Sequence, residues 1–470
     1  MEKEMDQAEV KKLTEELLVS RKNGCLQVTD EQLREADAFC EGYKEFIGAA
    51  KTEREVAAYA VKLAKEHGFV EYEETKRYRP GEKVYYNNRE KAVILAVIGE
   101  DGASDGVRIT AAHIDSPRLD LKPHPLYEKD GFAMFKTHYY GGLKKYQWTA
   151  IPLSMHGRAV LKDGTRVDLC IGEEPGEPQF CVTDLLPHLA AEQMQKTLSK
   201  AIEGENLNIL TGSRPVRAGE GENLLKLNVM KLIHDKYGMT EEDFVSSDFE
   251  FVPAFRAVDI GFDRSMIGAY GHDDRVCAYP ALMAVLNAKT PKHTVLTVLA
   301  DREEIGSEGN TGLNSQFLRY FIADLAESDG FHTRRVLSRS KCLSADVAAG
   351  YDPNYAEAYE PSNSCYLNGG VGMCKYTGAR GKSGTSEATA EFVAEVRSLF
   401  EKNGVLWQIG ELGKVDGGGG GTVAMYIAGM NVDVVDIGVP VLSMHSPFEV
   451  VSKLDVYMTY QGIKAFYEAK

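Results

Sequence analysis

The 470-residue chain has no run of 18 uncharged apolar residues, which removes a membrane-spanning helix from consideration. Its first twenty residues interleave charge with apolar positions, so no secretory leader is expected and a cytoplasmic protein is. The eight cysteines, at 25, 40, 170, 181, 277, 342, 365 and 374, contain no CxxC pair. That spacing argues against a zinc ribbon and, in so long a chain, against a disulfide framework, leaving reduced and mostly buried thiols. Basic side chains are the minority, 54 Lys and Arg against 70 Asp and Glu, for a net charge of −16. Binding along a phosphate backbone needs clustered Lys and Arg, so nucleic acid is a poor candidate partner.

What is present is the composition of an ordinary globular protein. At roughly 150 residues per domain the length corresponds to about three compact units or fewer larger ones. Thr52 followed by Glu55 is a capping-box pattern, Val56, Tyr59 and Leu63 follow at helical spacing, and Gly68 stands where a C-terminal cap belongs; together they predict a helix over residues 53–67. The apolar, β-branched runs at 91–99 and 107–112 read as strands buried on both faces. From about Arg118 to Pro253 the pattern changes to alternating segments, with Asp163-Gly164 at a hairpin position, and then to a polar stretch at 199–223 that reads as a long loop. Buried-strand patterns return in HTVLTVLA, KCLSAD and NVDVVDIG, and a last helix begins near Ser452 with Asp455. Strands alternating with helices predict an α/β fold, a sheet covered on both faces, interrupted by an inserted β-rich segment. The boundaries are 1–117 and 254–470 for the split catalytic domain and 118–253 for the insertion.

In such folds reactive groups gather beyond the carboxyl ends of strands. After VRITAA come His113 and Asp115; after the 269–272 segment come Asp273 and Asp274; after HTVLTVLA come Glu303 and Glu304; after KCLSA comes Asp346; after VPVLSM comes His445. Any one of these is usually a solvated residue. Five successive positions, expected to share one sheet edge, favour a metal site instead. Two imidazoles with three or four carboxylates suit zinc, manganese or cobalt, whereas calcium would take oxygens only. The three negative charges of Asp273, Glu304 and Asp346 with a hydroxide neutralise two dications, and two ions about 3.5–4 Å apart can both generate a nucleophile and polarise a carbonyl. Of the adjacent Glu303 and Glu304 only one is expected to ligate, which frees the other as general base. Asp115 can accept the second ring N–H of His113 and fix its tautomer.

The segments Ala111–Pro117 (AAHIDSP), Asp301–Ser307 (DREEIGS), Ser344–Val347 (SADV), Pro353–Tyr355 (PNY) and Met444–Ser446 (MHS) occur in that order over nearly the whole chain. They resemble the aspartyl aminopeptidase and aminopeptidase I family of cocatalytic metallopeptidases. The resemblance implies a mixed-sheet, zinc-exopeptidase-like catalytic domain flanked by helices, with the insertion as a mainly-β dimerisation domain. It implies that Asp273 bridges two ions, most readily zinc with manganese or cobalt as alternatives, that His113 and Asp346 complete one site and Glu304 and His445 the other, and that Glu303 is the base. It further implies a cis peptide between Asp273 and Asp274, and that His188 reaches a neighbouring subunit's site. The activity implied is hydrolysis of the N-terminal residue from peptides with a free amine, by a hydroxide held on two metals, in a homo-oligomer that forms a tetrahedral dodecamer. A deacylase or carboxypeptidase-like hydrolase on the same scaffold, or a non-catalytic shell protein, are the alternatives.

Two other features invite a reading. The five glycines at 417–421 lack the Gly-Lys-Ser/Thr of a phosphate loop and read better as a loop approaching substrate backbone. The basic segment 375–386 reads as a solvated loop, and Tyr139, Tyr140, Tyr146 and Trp148 as core or subunit contacts of the insertion.

Overall fold

The computed structural model describes residues 5–217 and 221–470. Alternation along the strand Ala92–Val97 explains the layering. All six residues are buried. Val93, Leu95 and Val97 join an apolar cluster with Val56, Ala60 and Ala64 of the helix Glu53–Glu66, whereas Ile94 and Ala96 join a second cluster with Phe317, Phe321 and Ile322 of the helix Phe317–Ser328. Every large side chain of such a strand leaves water, gaining about 1.5–3 kcal/mol, which is why it reads as an unbroken apolar run. The α/β fold expected from the sequence is the one adopted, and the predicted capping box closes between Thr52 and Glu55.

Among the described residues the largest sheet has nine strands. Its centre is four parallel strands in the order Thr294–Ala300, Val107–His113, Lys341–Ala345 and Asp433–Gly438. The strands Ala92–Val97 and Val371–Cys374 flank them antiparallel, so the sheet is mixed. His113 pairs with Ala300 and Ala111 with Ser344. Parallel register therefore brings the chain out at His113, Asp301 and Asp346 side by side.

A second sheet of six strands runs in the order Arg166–Ile171, Leu153–Val160, Ser247–Pro253, Arg118–Lys129, Phe132–Tyr140 and Ile209–Gly212, every pair antiparallel. Leu153 and Met155 face an apolar cluster with Phe135, Phe249 and Phe251. The opposite face is ionic: His156 Nδ1 lies 2.7 Å from Glu55, and Arg118 and Lys91 approach Glu53 at 2.8 and 2.9 Å. The stretch at 199–223, expected as one loop, carries secondary structure of its own, with helical turns at Leu198–Ala201 and Gly204–Asn206 and the edge strand Ile209–Gly212. Buried Leu207 and Ile209 anchor it; pairing with the neighbouring strand, absent from any local pattern, makes the strand. Residues 218–220 of that stretch, like residues 1–4, lie outside the described residues.

A third sheet joins Val258–Ile260, Met266–Ala269, Glu449–Ser452, Pro440–Leu442 and Ala348–Ala349. Asp273 follows its second strand and His445 its strand Pro440–Leu442. The five candidate positions thus come from two sheets, not from one shared edge. The last helix, Lys453–Glu468, starts at Ser452, but that side chain does not cap it. Ser452 Oγ instead donates to Asn368 Oδ1 at 2.7 Å, and Asp455 accepts the backbone N–H groups of Asn368 and Gly370. The eight cysteines are free, and five are buried. Among the described residues no helix is long and apolar enough to cross a membrane.

Candidate metal centre

Asp273 sits at the start of the helix His272–Asn287, where its own backbone and that of Asp274 are non-helical and the peptide between them is cis. Gly271, at φ +73°, precedes the turn; a Cβ there would fall 1.4 Å from Arg275 Nη2, so only glycine fits. Arg275 is buried and donates to the carbonyls of Gly271, Ala50 and Tyr270. The guanidinium of the Asp-Asp-Arg segment therefore holds the loop's backbone and does not point at a ligand.

The two carboxylate oxygens of Asp273 face different imidazoles. Oδ1 lies 3.0 Å from His113 Nε2, and Oδ2 lies 3.1 Å from His445 Nε2. Asp346 Oδ1 is 4.0 Å from His113 Nε2, and Glu304 Oε1 is 3.6 Å from His445 Nε2. Two groups result, His113 with Asp273 and Asp346, and Asp273 with Glu304 and His445, each with its ligand atoms within 4.8 Å of one another. Asp273 belongs to both. Glu304 Oε1 is buried without a hydrogen-bond partner, which a bound cation would satisfy. Imidazole nitrogen and carboxylate oxygen suit divalent zinc, so the residues fit such an ion.

Glu303 and Glu304 diverge as expected. The Glu304 side chain is 3% exposed and faces His445, whereas that of Glu303 is 20% exposed with Oε2 3.8 Å from His113 Nε2. Burial pushes the Glu303 carboxyl up to about 7, with His113 opposing the shift. Burial also raises Glu304 and Asp346 well above the carboxylate range. It would raise Asp273 too, but the two imidazoles hold that carboxyl well below its usual value.

Asp115 meets the His113 ring chiefly through its backbone oxygen, where the carboxylate was expected to accept the N–H. His113 Nδ1–H donates to the Asp115 backbone oxygen at 3.0 Å, with the carboxylate 3.3 Å away. A carbonyl only accepts, so the proton is on Nδ1 and Nε2 is left to ligate. The Asp115 carboxylate accepts the backbone N–H groups of Glu303 and Glu304 at 3.1 and 3.2 Å, and so shapes the turn that separates the two glutamates.

Several residues that the sequence reading assigned no such contact complete the site. The Tyr140 hydroxyl donates to Asp115 Oδ2 at 2.7 Å, a site contact where a core or subunit contact was expected. Gly142 O accepts from His445 Nδ1, and Gly141 is 3.0 Å, at its Cβ position, from Glu304 Oε2. Ser116 Oγ donates to Asp273 O at 2.6 Å. Asp274 Oδ2 accepts the His113 N–H at 3.3 Å. His188 is not brought to the centre: it lies exposed on the turn Pro187–Leu189. His272, assigned no role, is buried between Tyr43 and Ile267 O, and burial lowers it to about 3. Of the 417–421 glycines, Gly419 and Gly421 pack on the 378–384 loop, a Gly419 Cβ meeting Ala379 Cα at 2.4 Å, and the others face residues 412–414. Lys375 and Lys382 of the basic segment pair with Glu387.

Residues 46–467 match the family described as aminopeptidase I zinc metalloprotease, M18. Over 459 residues the chain is 48% identical to a Clostridium acetobutylicum protein named Probable M18 family aminopeptidase 1, covering 96% of this chain and 99% of the relative. The crystal structure of the Thermotoga maritima M18 aminopeptidase superposes with a TM-score of 0.92 at 43% identity, over 96% of this chain and 99% of that one. Aminopeptidase I from Clostridium acetobutylicum gives 0.90 at 47%, over 96% and 100%. The fold also matches a structure titled as the S. cerevisiae mApe1 dodecamer, with a TM-score of 0.75 at 19% identity over 93% of this chain and 97% of that one. A histidine- and carboxylate-lined centre where two sheets meet and a match over nearly the full length lead to one assignment: the chain belongs to the M18 family of zinc metalloprotease aminopeptidases.

Proposed function

We propose that this aminopeptidase works with two zinc ions, bridged by Asp273, with His113 and Asp346 completing one site and Glu304 and His445 the other. The observation that carries the reading is the pair of imidazoles facing opposite oxygens of one carboxylate at 3.0 and 3.1 Å. When bound, the ions supply Lewis acidity for the scissile carbonyl and a water acidic enough to attack at neutral pH. Glu303, at the open margin and raised to about 7, takes the proton of the attacking water and returns it to the leaving amine. Asp115 and Tyr140 hold the turn that points Glu303 outward and Glu304 inward. Peptides with a free N-terminus are the substrates.

We read residues 118–253 as an inserted dimerisation domain. Exposed Leu185, Leu186 and Leu189 flank His188, an apolar edge suited to a second copy. His188 would then meet the carbonyl oxygen in the neighbouring subunit's site and stabilise the oxyanion, and the dimers would build the tetrahedral dodecamer. Eight unpaired cysteines suit a reducing, cytoplasmic setting. The test is Glu303→Gln: the variant should keep two zinc ions by elemental analysis and lose about 10²–10⁴-fold in kcat. Retained turnover would refute the role.

A further inference from the structure

Glu449 is buried to 1% exposure and is the first residue of the strand Glu449–Ser452. Among the described residues it pairs with no lysine or arginine. Its carboxylate is instead spent on two backbone amides: Oε1 accepts the N–H of His445 at 2.7 Å, and Oε2 accepts the N–H of Asp273 at 3.2 Å. Asp273 stands in the non-helical first turn of its helix and His445 on a loop, and among the described residues the two share no backbone hydrogen bond. Register brings Glu449 between them, because its strand pairs with Met266–Ala269, four residues before Asp273, and follows the loop that carries His445.

The His445 loop needs such a tie. Ser443 and His445 adopt φ of +59° and +63°, the left-handed region that non-glycine residues rarely occupy. One grip on the ring comes from Gly142 O, which accepts from Nδ1 at 2.5 Å; the grip on the backbone comes from Glu449. We propose that Glu449 is a positioning residue that fixes the spacing between Asp273 and His445, and so sets the pocket for the ion held with Glu304. An isolated buried carboxylate is unfavourable, so its place here is held by the two N–H groups it accepts. The inference rests on the two-ion reading above.

Glutamine at 449 keeps the shape but offers one acceptor oxygen, and its NH₂ group confronts the other amide. The experiment titrates Co²⁺ into the chelator-treated full-length protein, following calorimetry and the visible absorption of cobalt, with the melting temperature of the metal-free form as reference. Wild type should take up two ions. Glu449→Gln should bind the second ion about 10–100-fold more weakly, with altered cobalt absorption beside a modest fall in the metal-free melting temperature, and Glu449→Ala should lose more. Unchanged affinity and spectrum in both variants would overturn the proposal. So would a lowered metal-free melting temperature with wild-type cobalt affinity and absorption, which would make Glu449 a structural residue only. A wild type that binds fewer than two ions would instead refute the two-ion reading itself.

Discussion

The Tyr140 hydroxyl donates to Asp115 Oδ2 at 2.7 Å, joining the end of a strand in the six-stranded sheet to the loop that follows the central strand of the nine-stranded one. Burial alone would raise the Asp115 carboxyl, but His113 and Tyr140 hold it below its usual range. Tyr140→Phe removes a hydrogen bond worth about 0.5–1.5 kcal/mol and loosens the turn bearing Glu303 and Glu304. A fall in kcat of about tenfold is expected, with that modest loss of stability by denaturant titration. An unchanged kcat would mean that the turn is held without Tyr140.

Metal affinity should rise with pH. Burial lowers the basicity of the His113 and His445 imidazoles, yet neighbouring carboxylates more than reverse this: Asp115 and Asp273 raise His113 well above its ordinary value, and Asp273 and Glu304 raise His445 to about 11. Burial also raises Glu304 and Asp346, so rings and carboxyls alike favour their protonated forms without metal, and an ion must displace those protons. Zinc titrations at pH 6, 7 and 8 should show a steady gain of about tenfold per unit for each proton released. A flat profile would show that the rings are already neutral.

The ionic seam between the helix Glu53–Glu66 and the six-stranded sheet should dominate acid stability. Burial would raise Glu53, but Arg118 at 2.8 Å and Lys91 at 2.9 Å drive its carboxyl far below the ordinary range. A depressed folded pKa gives stability that is present above the unfolded value of about 4.3 and lost as pH falls towards the folded one. Glu53→Ala removes the buried carboxylate that Arg118 and Lys91 share with Asp120, Glu250 and Asp248, and should cost about 1–3 kcal/mol at pH 7. The cost should shrink below pH 4, as read from melting curves; a pH-independent cost would deny the ionic origin.

Assembly should be needed for turnover. Replacing Leu189, 67% exposed beside His188, with Glu should give a folded, metal-binding protein of smaller mass by light scattering with little activity. His188→Ala should keep the assembly and lower kcat by about 10²-fold or more, the scale of a lost oxyanion donor. A fully active Leu189→Glu monomer would contradict the shared site.

The residues proposed as ligands were legible where they follow a buried strand, because a run such as VRITAA or HTVLTVLA announces it; Asp273 follows a short segment that carries no such run. The helix after Thr52 was legible because a capping box is local. Glu449 and Tyr140 were not, since each acts on residues far away in the chain through sheet register that no local pattern encodes. The strand Ile209–Gly212 was hidden for the same reason: its neighbour, not its composition, orders it. Ser452 shows the converse, a local capping pattern overridden when Asn368 offers the hydroxyl a tertiary partner.

The central claim is that two ions share Asp273 and that both are required. Metal-free protein titrated with zinc, with hydrolysis of a free-amine aminoacyl chromogenic substrate and elemental zinc measured at each point, tests it most directly. Activity should emerge as the second equivalent per subunit fills and plateau at two, with Asp273→Asn binding neither ion tightly and staying inactive. Full activity at one equivalent, or an active Asp273→Asn, would contradict the two-ion account.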